Sequence, residues 1–225
     1  MSASSHEPAL LRLQCGLALV VGAALIASGI APHDRATWFL EVAPVLIAAP
    51  ILYATRERFP LTPLLYLLIA LHALVLIYGG TYTYARVPLG FWLQDALALA
   101  RNPYDKIGHF MQGLVPAMVA REILLRGAFV RRGAMAAFLC ICVALAVSAV
   151  YELIEWWAAL VLGGGAVDFL GTQGDPWDTQ ADMFWALIGA GAALALLARR
   201  HDRQLGERYR LPAGGERADR PDPHS

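Results

Sequence analysis

Long apolar runs constrain this chain more than any other feature of its sequence. A helix needs about 20 consecutive, mainly apolar residues to cross the roughly 30 Å hydrocarbon core of a bilayer. Six stretches have about this length, at residues 10–31, 37–55, 60–82, 105–125, 134–162 and 180–198. The sequence therefore predicts an all-α, polytopic membrane protein with six transmembrane helices.

The composition supports this class and excludes several others. Hydrophobic residues make up 58% and charged residues 16% of the 225 residues, against about 45–50% and about 25% in soluble domains. Lysine plus arginine and aspartate plus glutamate number 18 each, so no excess of basic residues indicates nucleic acid as a partner. The three cysteines lie in apolar runs and predict no disulfide framework.

Two segments lie outside the six spans. Residues 88–100 are apolar but too short to cross, and they carry Gln94 and Asp95, which is typical of an interfacial segment on the membrane surface. Residues 205–225 are rich in proline, glycine and charge and predict a disordered cytoplasmic tail. Residues 1–204 are expected to form a single transmembrane domain.

Basic residues predict the orientation, because short loops rich in arginine stay on the cytoplasmic side. Arginines are concentrated in the connections between spans 2 and 3 and spans 4 and 5, and after span 6. Residues 163–179, between spans 5 and 6, contain no lysine or arginine. Both termini and the loop at 126–133 are therefore expected in the cytoplasm, with residues 163–179 outside.

Polar residues in spans 4, 5 and 6 share one helix face and, in this orientation, one depth near the outer surface. Their spacings of i, i+3 or i+4, and i+7 place each set on one side of its helix. The sets are Asp105, His109 and Gln112; Ser148, Glu152 and Glu155; and Asp175, Asp178 and Asp182. Glu152 and Glu155 repel each other when both are ionised, so they need a cation, a shared proton or Lys106 as partner.

Weaker candidates share this depth. They are Glu41 early in span 2 and His72 in span 3, for which a packing role is favoured. Lys106, the only lysine of the chain, lies beside the first set. The tyrosines at the outer end of span 3 are typical of an aromatic belt: Tyr78, Tyr82 and Tyr84.

The chemistry of these groups indicates a site rather than one reaction. One histidine with several carboxylates suits a divalent cation such as Mg²⁺, Mn²⁺ or Zn²⁺, with the expected ligands His109, Glu152, Glu155, Asp178 and Asp182. The same region suits general acid–base catalysis, with the expected residues His109, Glu152, Glu155, Asp105 and Lys106. The sequence contains no zinc-protease, serine-hydrolase or P-loop motif that would identify the reaction.

Structural roles are the alternative for several of these residues. Asp175 matches an N-cap, followed by Pro176 at the first helical position and Asp178 at the third. Asp105 follows a proline and is placed to cap span 4. Lys106 is long enough to extend to the lipid headgroups.

Several sequence blocks resemble the bacterial inner-membrane YjdF family, from about residue 31 to 205. The blocks are PHDRATWFLEVAPVL, RFPLTPLLY, YDKIGHFMQGLVPA, AREILLR, YELIEWWAAL and FLGTQGDPWDTQADMF. The resemblance implies a multi-pass protein of the bacterial inner (cytoplasmic) membrane and its topology, and it implies no activity.

The candidate residues more distantly resemble the VanZ-like pattern. Asp105, Lys106, His109 and Phe110, a later acidic pair, and three aspartates follow its order, with Asp182 at the place of an asparagine and Glu155 at that of a glutamine. VanZ-like proteins are associated with glycopeptide (teicoplanin) resistance and the cell envelope.

Three classes of function follow. The first is a site that binds or acts on a lipid headgroup in the outer leaflet, such as that of a lipid-linked envelope intermediate. The second is an ion- or proton-coupled transporter, because intramembrane carboxylates and histidines mark ion pathways, although the inner halves of spans 4 to 6 show no continuing polar track. The third is a non-enzymatic structural protein in which the acids only cap and pair.

Overall fold

Seven α-helices form the part of the chain that the computed structural model describes, residues 6–162 and 172–209. In chain order they are α1 (His6–Ile30), α2 (Arg35–Thr55), α3 (Pro63–Tyr82), α4 (Pro88–Ala96), α5 (Tyr104–Arg126), α6 (Ala134–Leu162) and α7 (Asp178–Tyr209). A 3₁₀ turn, Tyr84–Arg86, precedes α4, and no strand occurs in these residues. The all-α prediction is confirmed.

Five of these helices are long and apolar enough to cross a membrane: α1, α2, α3, α6 and α7. Helix α5 has the length, at 23 residues, but it is not among the helices whose composition suits a membrane span. The predicted segment at 88–100 forms the short helix α4. Residues 163–171 of the predicted outer loop lie outside the described residues.

Helix α7 continues well beyond the predicted end of span 6 at residue 198. Its last turns pack on the protein, because Leu205 is fully buried and the Tyr209 hydroxyl donates a hydrogen bond to the Pro60 carbonyl. This corrects the predicted start of a disordered tail at residue 205. Residues 210–225 lie outside the described residues.

Two predicted helix caps have other roles. Helix α5 begins at Tyr104, whose N–H donates to the Asn102 side chain at 3.0 Å, while Asp105 lies inside the first turn and makes no cap bond. Helix α7 begins three residues after Asp175. The Asp175 carboxylate accepts from the Trp177 N–H at 2.9 Å, which forms a turn ahead of the helix. Both predicted cap assignments are therefore wrong.

Helices α5 and α7 pack closely enough for their backbones to touch. A Cβ atom added at Gly113 would lie 1.8 Å from the Ala186 carbonyl oxygen, and one at Gly189 would lie 2.0 Å from the Phe110 carbonyl oxygen. Only glycine permits this approach. The pair thus forms the centre of the fold, with α3 and α6 packed against α5.

Helix α6 buries one stripe against this pair. The buried residues recur every four positions, so each lies about one turn beyond the last on a stripe that winds gradually around the helix: Ala136, Cys140, Ala144, Ser148 and Glu152. The small residues bring α6 close to its neighbours, and the last two positions of the stripe carry polar groups into the interior. The helix thereby directs Glu152 towards α5.

Candidate functional site

His109, on α5, is the centre of the candidate site and is 4% exposed. Its Nδ1 lies 2.8 Å from the Gln112 Oε1 oxygen, one turn along the same helix. Because that oxygen only accepts, Nδ1 carries the proton and Gln112 orients the ring. The other ring nitrogen, Nε2, lies 3.4 Å from Asp105 Oδ1.

Carboxylates from two further helices approach the same ring. Asp182 of α7 places Oδ2 3.8 Å from His109 Nε2, and Glu152 of α6 places Oε1 3.8 Å from Nδ1. These contacts give two groups of potential metal ligands, and within each group the ligand atoms lie within 4.8 Å of one another. The groups are Asp105, His109 and Asp182, and His109, Glu152 and Glu155. Residues from all three predicted polar sets thus meet at His109. Asp175 and Asp178, the first two members of the third set, do not.

The electrostatics of this cluster require a proton or a cation. Nε2 faces two carboxylate oxygens, and this arrangement is stable with a proton on Nε2 or on one of the carboxylates, or with a cation between the groups. Glu152 Oε1 and Asp182 Oδ1 are buried without a hydrogen-bond partner among the described residues. Buried acceptors of this kind, together with one imidazole and several carboxylates, fit a divalent cation.

A cavity of about 220 Å³ adjoins His109 between α2, α3, α5 and α6. Glu41 and His72, the two weaker candidates, both line it. The Tyr151 hydroxyl donates to Glu41 Oε2 at 3.3 Å, and His72 Nε2 is buried without a partner among the described residues. Among the described residues, no lysine or arginine lines this cavity. Its polar end therefore carries only carboxyl, imidazole, phenol and amide groups.

Tyr84 also lines the cavity and is 6% exposed. Its ring packs against that of Tyr104, with 5.5 Å between the ring centroids. The prediction that Tyr84 belongs to an aromatic belt is therefore wrong. Its position follows from the 3₁₀ turn, which reverses the chain after α3 and directs this ring inward. No regular period marks such a turn in the sequence.

Arg101, in the loop before α5, holds two of the predicted site residues away from His109. Its guanidinium lies 2.5 Å from Asp178 Oδ1 and 2.9 Å from Asp175 Oδ2, and it donates to the Thr172 carbonyl at 2.7 Å. Partial burial disfavours its charge, yet the hydrogen bond and charge of Asp178 outweigh that effect and raise the pKa of Arg101. Asp178 is thus placed in an ion pair rather than in either group of ligands.

Lys106 is also placed apart from the cluster. It does not line the cavity, although its neighbour Asp105 does. The side chain is one residue further along α5 than Asp105, a rotation of about 100° around the helix axis. The structure therefore does not bring together Lys106 and the acidic pair of α6.

A second buried polar cluster, absent from the sequence prediction, lies at the opposite end of α5 and α7. Glu122 is fully buried and accepts hydrogen bonds from four donors: the Thr62 N–H at 3.1 Å, the Thr62 hydroxyl at 2.8 Å, Arg126 at 2.8 Å and His201 Nε2 at 3.0 Å. His201 Nδ1 lies 2.8 Å from Arg121 Nη1. Because arginine only donates, Nδ1 accepts, and the histidine is neutral with its proton on Nε2.

The same rule that identified Glu152 applies to this cluster. Glu122 is a carboxylate within the predicted span 105–125, and such groups rarely face lipid. The arginines near Glu122 were used in the sequence analysis only to predict the orientation of the chain in the membrane. The cluster joins the start of α3 to the ends of α5 and α7, and it places buried polar groups at the end opposite to His109.

Comparison with known proteins gives the family. The family model described as "Predicted membrane protein (DUF2238)" matches residues 13–203. The chain is 62% identical over 197 residues to "Inner membrane protein YjdF" of Escherichia coli (strain K12), which covers 88% of this chain and 94% of that protein. No solved structure matches the chain. Since the match extends over most of its length, the chain belongs to the family of predicted membrane proteins designated DUF2238.

Proposed function

We propose that this protein crosses the inner membrane six times, with both termini in the cytoplasm, and binds a divalent cation at the His109 site near the outer face. In this proposal the bound cation holds the headgroup of an outer-leaflet lipid, such as a lipid-linked envelope intermediate, for binding or reaction. The convergence of carboxylates from α5, α6 and α7 on one buried histidine carries the proposal.

The six-span topology requires α5 to cross the membrane despite its polar residues. Those residues are buried against other helices rather than exposed to lipid: His109, Gln112, Arg121 and Glu122. A helix whose polar groups are all satisfied by its neighbours crosses at the centre of a bundle. Helix α4, at nine residues, is too short to cross and lies at the surface in this topology.

Cysteine labelling in intact cells tests the orientation. In a variant without the native cysteines, Gly164→Cys should react with a membrane-impermeant maleimide, and Ala134→Cys at the start of α6 should react only after lysis. The reverse pattern would place the His109 site near the inner face and would contradict the outer-leaflet proposal.

The absence of lysine and arginine from the cavity supports a role for the cation. Envelope lipid headgroups carry phosphate, and a cavity lined by carboxylates repels an anion. A divalent cation would neutralise the charge of the two aspartates that hold it and would polarise a phosphoryl oxygen. Asp105, His109 Nε2 and Asp182 would hold it, while Gln112 fixes the ring through Nδ1. Glu152 and Glu155 would then be the groups placed to accept a proton.

Metal binding to the purified protein tests the site. We expect Mn²⁺ or Zn²⁺ to bind the wild type in isothermal titration calorimetry, with His109→Gln and Asp182→Asn losing at least about tenfold in affinity. Asp95→Asn, which changes an exposed acid of α4, is the matched control and should bind as the wild type. Equal binding by His109→Gln and the wild type would show that the cluster is not a metal site.

A coupled transporter is the second candidate, and the Glu122–His201 cluster favours it. The cluster lies 13 residues from His109 on α5, or about 20 Å, and apolar residues such as Ala117 and Met118 are buried between the two. Polar groups at both ends with an apolar layer between them suit alternating access. Proteoliposomes with an internal pH dye separate the candidates, since only a transporter acidifies the lumen when a metal or pH gradient is applied.

A further inference from the structure

A second cavity, of about 430 Å³, lies between α1, α2 and α3. We refer to it as the chain groove. Its volume lies within the range of about 300–1,000 Å³ that ligand sites occupy. Its walls are mainly small or aliphatic side chains, among them Cys15, Ala18, Ala49, Leu52 and Ala70.

The chain groove adjoins the polar cavity beside His109. Two residues of α2 and two of α3 line both: Val45, Ala48, Ile69 and Ala73. The carboxylates and imidazoles thus lie at one end of a track whose remainder is mainly apolar, with Gln14, Tyr53, Arg56 and Tyr66 as its polar lining residues. A polar site that continues into an apolar groove at membrane depth matches an amphipathic ligand, with its headgroup at the polar end.

The groove lies where α1 and α2 are not tied together. Near the connection between these helices, Trp38 Nε1 donates to the Ser28 hydroxyl at 3.0 Å. The groove is instead lined by residues towards the free ends of both helices, such as Leu11 on α1 and Tyr53 on α2. The groove therefore lies away from the connection that joins α1 to α2, with α3 as its third wall.

The length of the track selects the kind of chain. Glu41 lies six residues, or about 9 Å, from the start of α2, and Tyr53 lies a further twelve residues, or about 18 Å, along the same helix. The hydrocarbon of one leaflet is only about 15 Å thick. A chain that runs from the headgroup end to Tyr53 therefore passes the bilayer midplane, whereas the chains of an ordinary phospholipid remain in one leaflet.

We infer that the chain groove holds the single long polyprenyl chain of the lipid whose headgroup occupies the His109 site. This inference rests on the proposed function for the identity of the headgroup site. It narrows the ligand to a polyprenyl phosphate or diphosphate lipid. The chain groove is a single cavity bounded by α1, α2 and α3, and a diacyl phospholipid would have to separate its two chains to place one of them there.

Cys15 provides a reporter within the groove. In full-length protein in nanodiscs, with Cys140 and Cys142 replaced by alanine, polyprenyl phosphate should slow the reaction of Cys15 with an apolar maleimide about tenfold at ten times its Kd. Phosphatidylglycerol at the same concentration should leave the rate unchanged. Equal protection by both lipids, or protection by neither, would overturn the inference.

A variant that fills the groove gives the second test. Ala49→Phe places a ring in the groove, whereas Ala54→Phe places the same ring on an exposed position of α2 that does not line it. Only the first should lower the affinity for polyprenyl phosphate, by at least about tenfold, and both should bind Mn²⁺ as the wild type. Unchanged lipid affinity in Ala49→Phe would overturn the inference.

The two proposals fail in different ways. If the wild type does not bind Mn²⁺ but polyprenyl phosphate still protects Cys15, the cation is removed from the proposed function and the inference about the chain groove stands. Normal Mn²⁺ binding without protection of Cys15 would retain the site and remove the polyprenyl chain from it.

Discussion

Glu122→Gln should be among the most destabilising conservative substitutions in this chain. All the groups that face the Glu122 carboxylate donate hydrogen bonds, and a glutamine offers one acceptor oxygen and one NH₂ group. If the NH₂ takes the Oε1 position it meets Arg126 and the Thr62 N–H. If it takes the Oε2 position it meets the His201 Nε2 proton, which cannot move to Nδ1 because Arg121 donates there.

Burial sets the size of the effect. The Arg126–Glu122 ion pair has an N–O distance of 2.8 Å and side chains 10% and 0% exposed. Removing one partner of a buried pair costs about 3–5 kcal/mol. The Arg56–Glu57 pair has the same 2.8 Å distance but side chains 37% and 78% exposed. Such a surface pair contributes about 0–1 kcal/mol, so Glu57→Gln is a control matched in distance and chemistry.

Thermal melting of the purified protein measures the difference. For a chain of this size each kcal/mol corresponds to about 2–4 °C, so Glu122→Gln should lower Tm by roughly 6–20 °C. Glu57→Gln should change it by no more than about 4 °C. Folded Glu122→Gln should still bind Mn²⁺ at the distant His109 site. Equal shifts in the two variants would refute the view that Glu122 joins α3, α5 and α7.

Three further predictions concern helix packing, the connection between α1 and α2, and the loop before α5. Gly189→Ala should lower the free energy of unfolding by about 1–3 kcal/mol because its Cβ meets a backbone oxygen at 2.0 Å, whereas Gly191→Ala, with nothing within 4 Å, should be neutral or stabilising in denaturant titrations. The hydrogen bond from the Thr37 N–H lowers the pKa of Asp34, so the stabilising charge is present above about pH 4 and lost as pH falls through that lowered pKa; Tm of the wild type should fall relative to Asp34→Asn over this range. Asp175→Asn keeps the turn and loses a half-exposed ion pair, so it should cost less than about 1 kcal/mol, while Arg101→Gln leaves a buried carboxylate unpaired and should cost about 1–3 kcal/mol in the same assay.

Helical period and hydrophobic length predicted most of the residues that the structure brings together around His109. His109, Glu152 and Asp182 lie on faces that their spacing identified, because a buried face repeats with the helix period whatever it packs against. The predicted ends at residues 134 and 162 coincide with those of α6. Each of these features is local to one helix, and a local pattern is sufficient to recognise it.

Features that depend on two distant segments were not predictable in this way. Arg101 counts as one basic residue in a loop until the fold places it against Asp178, 77 positions away. Likewise, nothing in the sequence around His201 shows that Glu122, 79 positions earlier, accepts its proton. The sequence also does not reveal the backbone contact of Gly113 with α7, because a single glycine within a helix can be present for many reasons.

The dependence of α5 on α7 has a consequence for how the chain is made. During synthesis α5 emerges before α7. Yet His109 of α5 has Asp182 of α7 as a partner, and the buried charged residues Arg121 and Glu122 have His201. Until α7 arrives, α5 is a poor substrate for release into lipid from the insertion machinery, because its charged groups would face hydrocarbon. In the proposed topology the ribosome must therefore complete residues 178–209 before α5, the fourth span, is stably inserted in the membrane. A nascent chain that stops earlier would present an unsatisfied helix to membrane quality-control proteases.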